Sequence, residues 1–439
     1  MQTFSSGSIR ALIERARRIL SENDLGASTK PSPDLYPHQW NWDSGFIAIG
    51  ICHFDANRAQ TEIRSLLRGQ WRDGMIPHII YDPDASGYFP DPHRWQTRLS
   101  AAAPQTVLTS GITQPPMITI AAWECVLRSG DRYFAEEIYP PLLAYHRWFH
   151  RQRDPYAEGL AAIIHPWESG LDNSPRWVEI LNGIRLPERP QYQRRDNSHV
   201  PDSQRPSHAD YDRYVYLMDF ARQLAYDQSA ILAQFPFVVQ DVLLNSILYR
   251  ADHCLRQLAE LIGQPASEIE EWQAAARRAF ENKLWHENDG LYYDFDLRNA
   301  HPIQHNTVAA LMPLYAGLIG SDRADRLVRD HLWNRVEYAP DAGNTRYLVP
   351  TTSKTDPHFD PRRYWRGPIW LNTNWLLIRG LERYGYADLA RQIRDDTLAL
   401  IQTAGFHEYF DPRTGAGYGT DSFSWSAALA IDLLEEEKK

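Results

Sequence analysis

The feature that most constrains the fold is a helical repeat of apolar residues running through most of the chain. From Ile247 to Ile262, the residues Ile247, Ala251, Leu255, Leu258 and Ile262 recur at helical spacing, and Gly263 ends the run. Similar patterns predict helices near 8–22, 43–66, 111–129, 132–151, 212–230, 305–319 and 322–333. Ser267 followed by Glu270 reads as a capping box opening a helix toward Trp285. Pro368 predicts the first turn of a helix reaching about Tyr384. Leu389, Ile393, Thr397 and Leu400 mark another helix, and the last spans roughly 422–434. Strand signals are scarce: Trp177 to Ile184, and a hairpin-like Gly290 to Phe295.

About a dozen helices without a fixed period of roughly 34 or 40 residues disfavour a solenoid. Some connecting loops are brief. Others are long and carry clusters of Trp, Asp, Glu and Gly. A closed double ring of helices fits this alternation, with the long loops gathered at one end as a pocket. The expectation is therefore an all-α fold, an (α/α)6 barrel. The 439 residues would allow two or three domains. No linker divides them, so a single domain over 1–439 is expected. The Pro-rich, polar stretch from Pro187 to His208 predicts a loop excursion at about 187–210, of the kind that serves as a lid.

Composition removes several classes of function. A net charge of -10 and the lack of a basic stripe argue against a nucleic-acid partner. No apolar run approaches the roughly 20 residues of a membrane span. Ser8 to Leu20 reads as an amphipathic helix and not a signal peptide, which predicts a cytoplasmic protein. Cys52, Cys125 and Cys254 lie far apart in apolar contexts, as buried free thiols would. His146 and His150 are four apart with no acidic ligand between them, so no metal is expected. The run Gly415 to Gly419 follows no convincing strand, and neither a Walker loop nor a GxSxG elbow occurs. No cofactor is expected.

Three aromatic, acidic segments remain: YPHQWNWDSGF (36–46), HPWESGLDNSPRW (165–177) and GFHEYFDPRTG (405–415). Aromatic rings stack on sugar faces, and carboxylates grip hydroxyls or move protons. Hydrolysing a glycosidic bond needs one carboxylic acid for the leaving oxygen and a second carboxylate for water or the anomeric carbon. In the second segment Glu168 and Asp172 compete for a role. Asp172, between Gly170 and Pro175, can point into a cleft while Glu168 holds the loop, or both can cap a helix. Glu408 is either the second carboxylate or a surface residue in a turn. Asp43 reads as a helix N-cap or a sugar-hydroxyl contact. Gln114 heads a helix and reads as a polar loop residue or as a hydrogen-bond partner of a substrate. Arg366 reads better as a structural ion pair than as a carboxylate clamp.

These segments, with TSGITQPP (109–116), YWRGPIWLNTNWL (364–376) and GTDSFSWSAAL (419–429), resemble motifs of glycoside hydrolase family 63. RPSHADYDRY (205–214) and the compact length are most similar to its bacterial mannosylglycerate and glucosylglycerate hydrolase branch. The resemblance runs from about residue 30 to the end. It implies an (α/α)6 barrel and hydrolysis with inversion, with Asp172 as general acid and Glu408 as general base. It places Tyr36, Trp40, Trp42, Asp43 and Trp167 around the sugar, with Tyr88 joining from a mobile loop. It places Gln114, Arg205, Tyr211, Tyr364, Trp365 and Trp370 around the acceptor, Arg205 being the natural partner of a glycerate carboxylate. The implied partner is a small glycoside, most simply mannosylglycerate or glucosylglycerate, and a homo-oligomer is compatible with this reading. Two other readings stand beside it. One is an α-glucosidase or trehalase-like hydrolase of neutral sugars. The other is a sugar epimerase on the same barrel, using His165, His358 or His407.

Overall fold

The computed structural model describes residues 6–435 apart from 342 and 344. Thirteen principal helices carry the architecture. They are α1 (Ser6–Glu22), α2 (Asn41–Ile51), α3 (Ala56–Leu67), α4 (Met117–Ser129), α5 (Arg132–Gln152), α6 (His208–Gln223) and α7 (Val242–Ile262). They continue with α8 (Ser267–Ala279), α9 (Pro313–Ala316), α10 (Ser321–Arg326), α11 (Leu371–Arg383), α12 (Ala387–Ala404) and α13 (Ser424–Glu435).

Six of them close an inner ring: α2 packs on α4, α4 on α7, α7 on α9, α9 on α11, α11 on α13, and α13 back on α2. The sequence dictates which helices go inside. Every residue of α2 is buried, and so is α13 from Ser424 to Leu434. A helix that is apolar on all sides must be surrounded by others. Glycines let these helices approach closely. A Cβ on Gly50 would lie 2.4 Å from the Ala428 backbone, and one on Gly45 would lie 2.6 Å from the Met117 Cβ. The outer helices are amphipathic instead. Helix α1 buries Leu12, Ile13, Ala16, Ile19 and Leu20 against α13 and turns its arginines to solvent. Helices α3, α5, α8 and α12 cover α2, α4, α7 and α11 in the same way, and α10 continues the alternation. This is the expected all-α (α/α)6 barrel.

Several boundaries differ from the periodicity. The window 43–66 is two helices, because Asp55 accepts a hydrogen bond from the Arg58 amide and starts a new helix. The window 212–230 is broken at Ala225 and Tyr226, both at positive φ, after which Asp227 caps a short helix, Gln228–Gln234. The windows 111–129 and 305–319 begin later than expected, at Met117 and at the 3-10 turn Val308–Leu311. Ser267 caps nothing; Ala266 occupies the N-cap of α8. Pro368 lies ahead of α11, its carbonyl accepting from Thr351. Trp177 to Ile184 is not a strand: Pro175–Trp177 is a 3-10 turn that runs into the helix Val178–Gly183. The hairpin-like stretch does form strands. Leu291–Tyr292 pairs with Trp285–His286, and Asp294–Asp296 pairs with both Val239–Gln240 and His301–Ile303.

Candidate active site

The segments leading into the inner helices line a cavity. Its wall comes from the approach to α2 (Tyr36, Trp40) and the first turn of α2 (Trp42, Asp43), from Tyr88, from Gln114 ahead of α4, and from Trp167 and Asp172. Tyr364, Trp365 and Trp370 ahead of α11 and Glu408 ahead of α13 complete it.

The loop carrying Asp172 is pegged from behind. Glu168 is fully buried and pairs with Arg153 through two hydrogen bonds of 2.7 Å. It also accepts from the amides of Thr113 and Ile164. Such a charge-assisted bidentate pair fixes orientation as well as position. Gly170 then turns the chain at φ +74, where a Cβ would lie 2.4 Å from the Trp42 ring. Asn173 ties the far side of the loop: its Oδ1 accepts from the Trp365 amide at 3.0 Å, and its carbonyl accepts from Arg366 Nε at 2.9 Å. Arg366 therefore braces the acidic loop, with Asp210 at 3.9 Å as its ionic partner. The Asp172 carboxyl is left facing the cavity. Burial raises its pKa well above the usual range. Arg205 pulls it down and Glu408 pushes it up.

Glu408 is almost wholly buried, on a hairpin in which Tyr409–Phe410 pairs with Gly417–Tyr418. The glycine-rich run 415–419 is the return strand of this hairpin. A Cβ on Gly419 would lie 2.2 Å from Glu408 Oε2, so only glycine leaves room for the carboxylate. Tyr36 donates to Glu408 Oε1 at 2.9 Å. The Thr420 amide and Arg205 Nη2 donate to Oε2 at 3.2 and 3.3 Å. Burial raises the Glu408 pKa, and the Arg205 charge opposes that rise. Asp43, a third carboxyl in the wall, is pushed well above the usual range by burial. It sits in the third position of α2 and not at the N-cap, which Trp40 occupies.

Aromatic rings form the rest of the cup. Trp365 and Trp370 stack at 3.6 Å and 10°, and Trp370 stacks on Tyr409 at 4.7 Å. Trp42 meets Trp425 edge-on at 5.5 Å. Gln114 Oε1 accepts from the Trp42 amide at 3.3 Å. Tyr364 is held at φ +40, a left-handed backbone that costs a side-chain-bearing residue of the order of 1 kcal/mol.

Arg205 and Tyr211 stand outside the cavity wall. Arg205 lies behind the Glu408 carboxylate, donating to Tyr36 at 2.8 Å, with its Nε lacking a partner among the described residues. Tyr211 is packed between Trp167, Phe89 and Tyr192. The wall also holds Pro31, His78, Gly170, Phe423 and Trp425. His78 sits in the apolar stretch MIPHII and carried no sequence signal, although its ring stacks on Trp167 at 6.0 Å. His165, His358 and His407, the histidines named for an epimerase reading, do not line the cavity, whereas His78 does. His146 and His150 both face the Asp252 carboxylate.

Residues 36–426 match the family model described as the mannosylglycerate hydrolase MGH1-like glycoside hydrolase domain. The chain belongs to this family. It is thus a glycoside hydrolase, as its resemblance to family 63 implied. It is 43% identical to a mannosylglycerate hydrolase of Thermus thermophilus, covering 95% of this chain and 99% of that protein. It is 36% identical to a glucosylglycerate hydrolase of Mycolicibacterium hassiacum, covering 96% and 97%. The family 63 mannosylglycerate hydrolase of Thermus thermophilus, crystallised with Tris and D-glycerate, superposes with a TM-score of 0.90 at 42% identity. That match covers 96% of this chain and 99% of the other.

Proposed function

We propose that this chain hydrolyses α-mannosylglycerate or α-glucosylglycerate with inversion, in one catalytic domain spanning its length. The observation that carries the mechanism is the unequal setting of two carboxyls on one aromatic cavity. Asp172 is half-buried, and no neighbouring side chain donates to its carboxyl among the described residues, so it keeps its proton and serves as the general acid. Glu408 is held as a carboxylate by Arg205, Tyr36 and the Thr420 amide, and serves as the general base. Two environments that push two carboxyls apart assign acid and base. Asp172 protonates the glycosidic oxygen as the bond to the anomeric carbon breaks. Glu408 takes a proton from the water that attacks from the opposite face.

Tyr36, Trp40, Trp42, Asp43, Tyr88 and Trp167 hold the sugar, and Gln114, Tyr364, Trp365 and Trp370 surround the aglycone. Arg205 has a second task beside restraining Glu408: its spare donors recognise the glycerate carboxylate, while Tyr211 backs the subsite. Names of relatives 36–43% identical over nearly the whole chain support this substrate class. Cys52, Cys125 and Cys254 are buried and unpaired, in keeping with a cytoplasmic setting. No helix among the described residues is long and apolar enough to cross a membrane.

Free-sugar release from the two glycerate glycosides, measured beside trehalose and kojibiose, tests the reading. Rapid hydrolysis of a glycerate glycoside with little on the neutral sugars is expected. Activity confined to the neutral sugars would contradict it.

A further inference from the structure

A second cavity opens among the inner helices, and none of its lining residues borders the catalytic cup. All six inner helices contribute to it: Ile49 from α2, Glu124 and Arg128 from α4, Arg250 from α7, Tyr315 from α9, Trp375, Arg379 and Arg383 from α11, and Asp432 from α13. Four guanidiniums therefore face two carboxylates.

The carboxylates are already committed. Asp432 Oδ1 takes His53 Nε2 at 2.6 Å and Arg128 at 3.2 Å, while its Oδ2 takes Trp375 Nε1 at 2.8 Å and Arg379 at 2.5 Å. Glu124 is nearest to Arg128, at 3.6 Å. Arg250 and Arg383 neither pair with a carboxylate nor donate a hydrogen bond among the described residues. Each guanidinium nevertheless carries five N–H donors in a rigid fork. Arg383, the last residue of α11, is exposed and Arg250, midway along α7, is half-buried, so these donors are open to a ligand entering from solvent. The two arginines also repel one another: burial and then the Arg250 charge hold Arg383 below its ordinary range. Tyr315 and Trp375 add an aromatic wall.

We propose that this second cavity is a binding site for a phosphate dianion, free or as the phosphomonoester of a small metabolite, held by Arg250 and Arg383. Two forked guanidiniums match the oxygens of one phosphate. The apolar wall suits a short carbon skeleton. The site shares no residue with the catalytic cavity.

Calorimetric titration of the full chain with inorganic phosphate, and separately with glycerol 3-phosphate, tests this at constant ionic strength. One saturable site per chain is expected, retained in Arg205→Ala, which excludes the catalytic cavity. Affinity should weaken at least about tenfold for each guanidinium removed in Arg250→Gln and Arg383→Gln. Glycoside hydrolysis by the double variant should match the parent, showing that it folds. Tighter binding of the phosphomonoester would make the metabolite the occupant, and equal binding would make it free phosphate. No saturable binding at millimolar phosphate, or binding that survives the double variant, would overturn the proposal.

Discussion

Asp172 and Glu408 differ by what surrounds them more than by what they are. Asp172 faces the cavity with no donor but its own backbone amide, whereas Glu408 is met by three from elsewhere in the chain. Removing either proton-transfer group typically costs about 10²–10⁴-fold. Asp172→Asn and Glu408→Gln should each lower kcat by about that factor while leaving thermal stability near the parent's, as steady-state kinetics and a melting curve will show. The pH dependence follows from the two shifts. Activity is lost on the acid side as Glu408 gains a proton and on the alkaline side as Asp172 loses one. Burial raises both pKa values, so both limbs are expected at higher pH than free carboxyls would give. The Arg205 charge lowers both. Arg205→Met should therefore move both limbs of the kcat/KM profile to higher pH and raise KM for a glycerate glycoside. An unmoved profile would separate Arg205 from the base.

At the scale of elements, the acidic loop between Ile164 and Trp177 depends on a peg that never touches the cavity. Arg153→Met would strand the buried Glu168 carboxylate, and breaking such a pair costs about 3–5 kcal/mol. The expected outcome is a large fall in melting temperature, with kcat falling as Asp172 loses its bearing. The division of labour between Glu168 and Asp172 was legible in the sequence as two alternatives, and the Arg153 partner, fifteen residues upstream, decides it. The helices were legible because burial imposes a period. Their ends were less so, because caps such as Asp55 and the left-handed pair Ala225 and Tyr226 interrupt an apolar pattern without changing it. Trp177 to Ile184 was misread for the opposite reason: its strand-favouring residues follow Pro175, which starts a turn. Twelve of the fourteen expected site residues line the cavity because aromatic and acidic residues in long loops have little other use. Arg205 and Tyr211 lie one layer behind, a depth that sequence spacing does not encode. His78 was invisible, since a histidine among isoleucines reads as core.

The whole molecule separates two environments along one barrel. The approaches to the inner helices bring carboxyls and rings together around one cavity, and the same helices bring arginines together around another. Between them runs an aromatic column, Trp42 to Phe46 at 5.6 Å, Phe46 to Trp375 at 6.1 Å and Trp375 to Tyr315 at 6.0 Å. Ring closure through close helix contacts at Gly45 and Gly50 fixes the loops relative to one another, and the proposed catalysis by two carboxyls on separate loops would depend on that rigidity. The most direct test is proton NMR of the sugar first released from an α-glycosylglycerate, before mutarotation. The β-anomer is predicted, since water activated by Glu408 attacks the face opposite the bond that Asp172 breaks. Initial release of the α-anomer would contradict the assignment of acid and base.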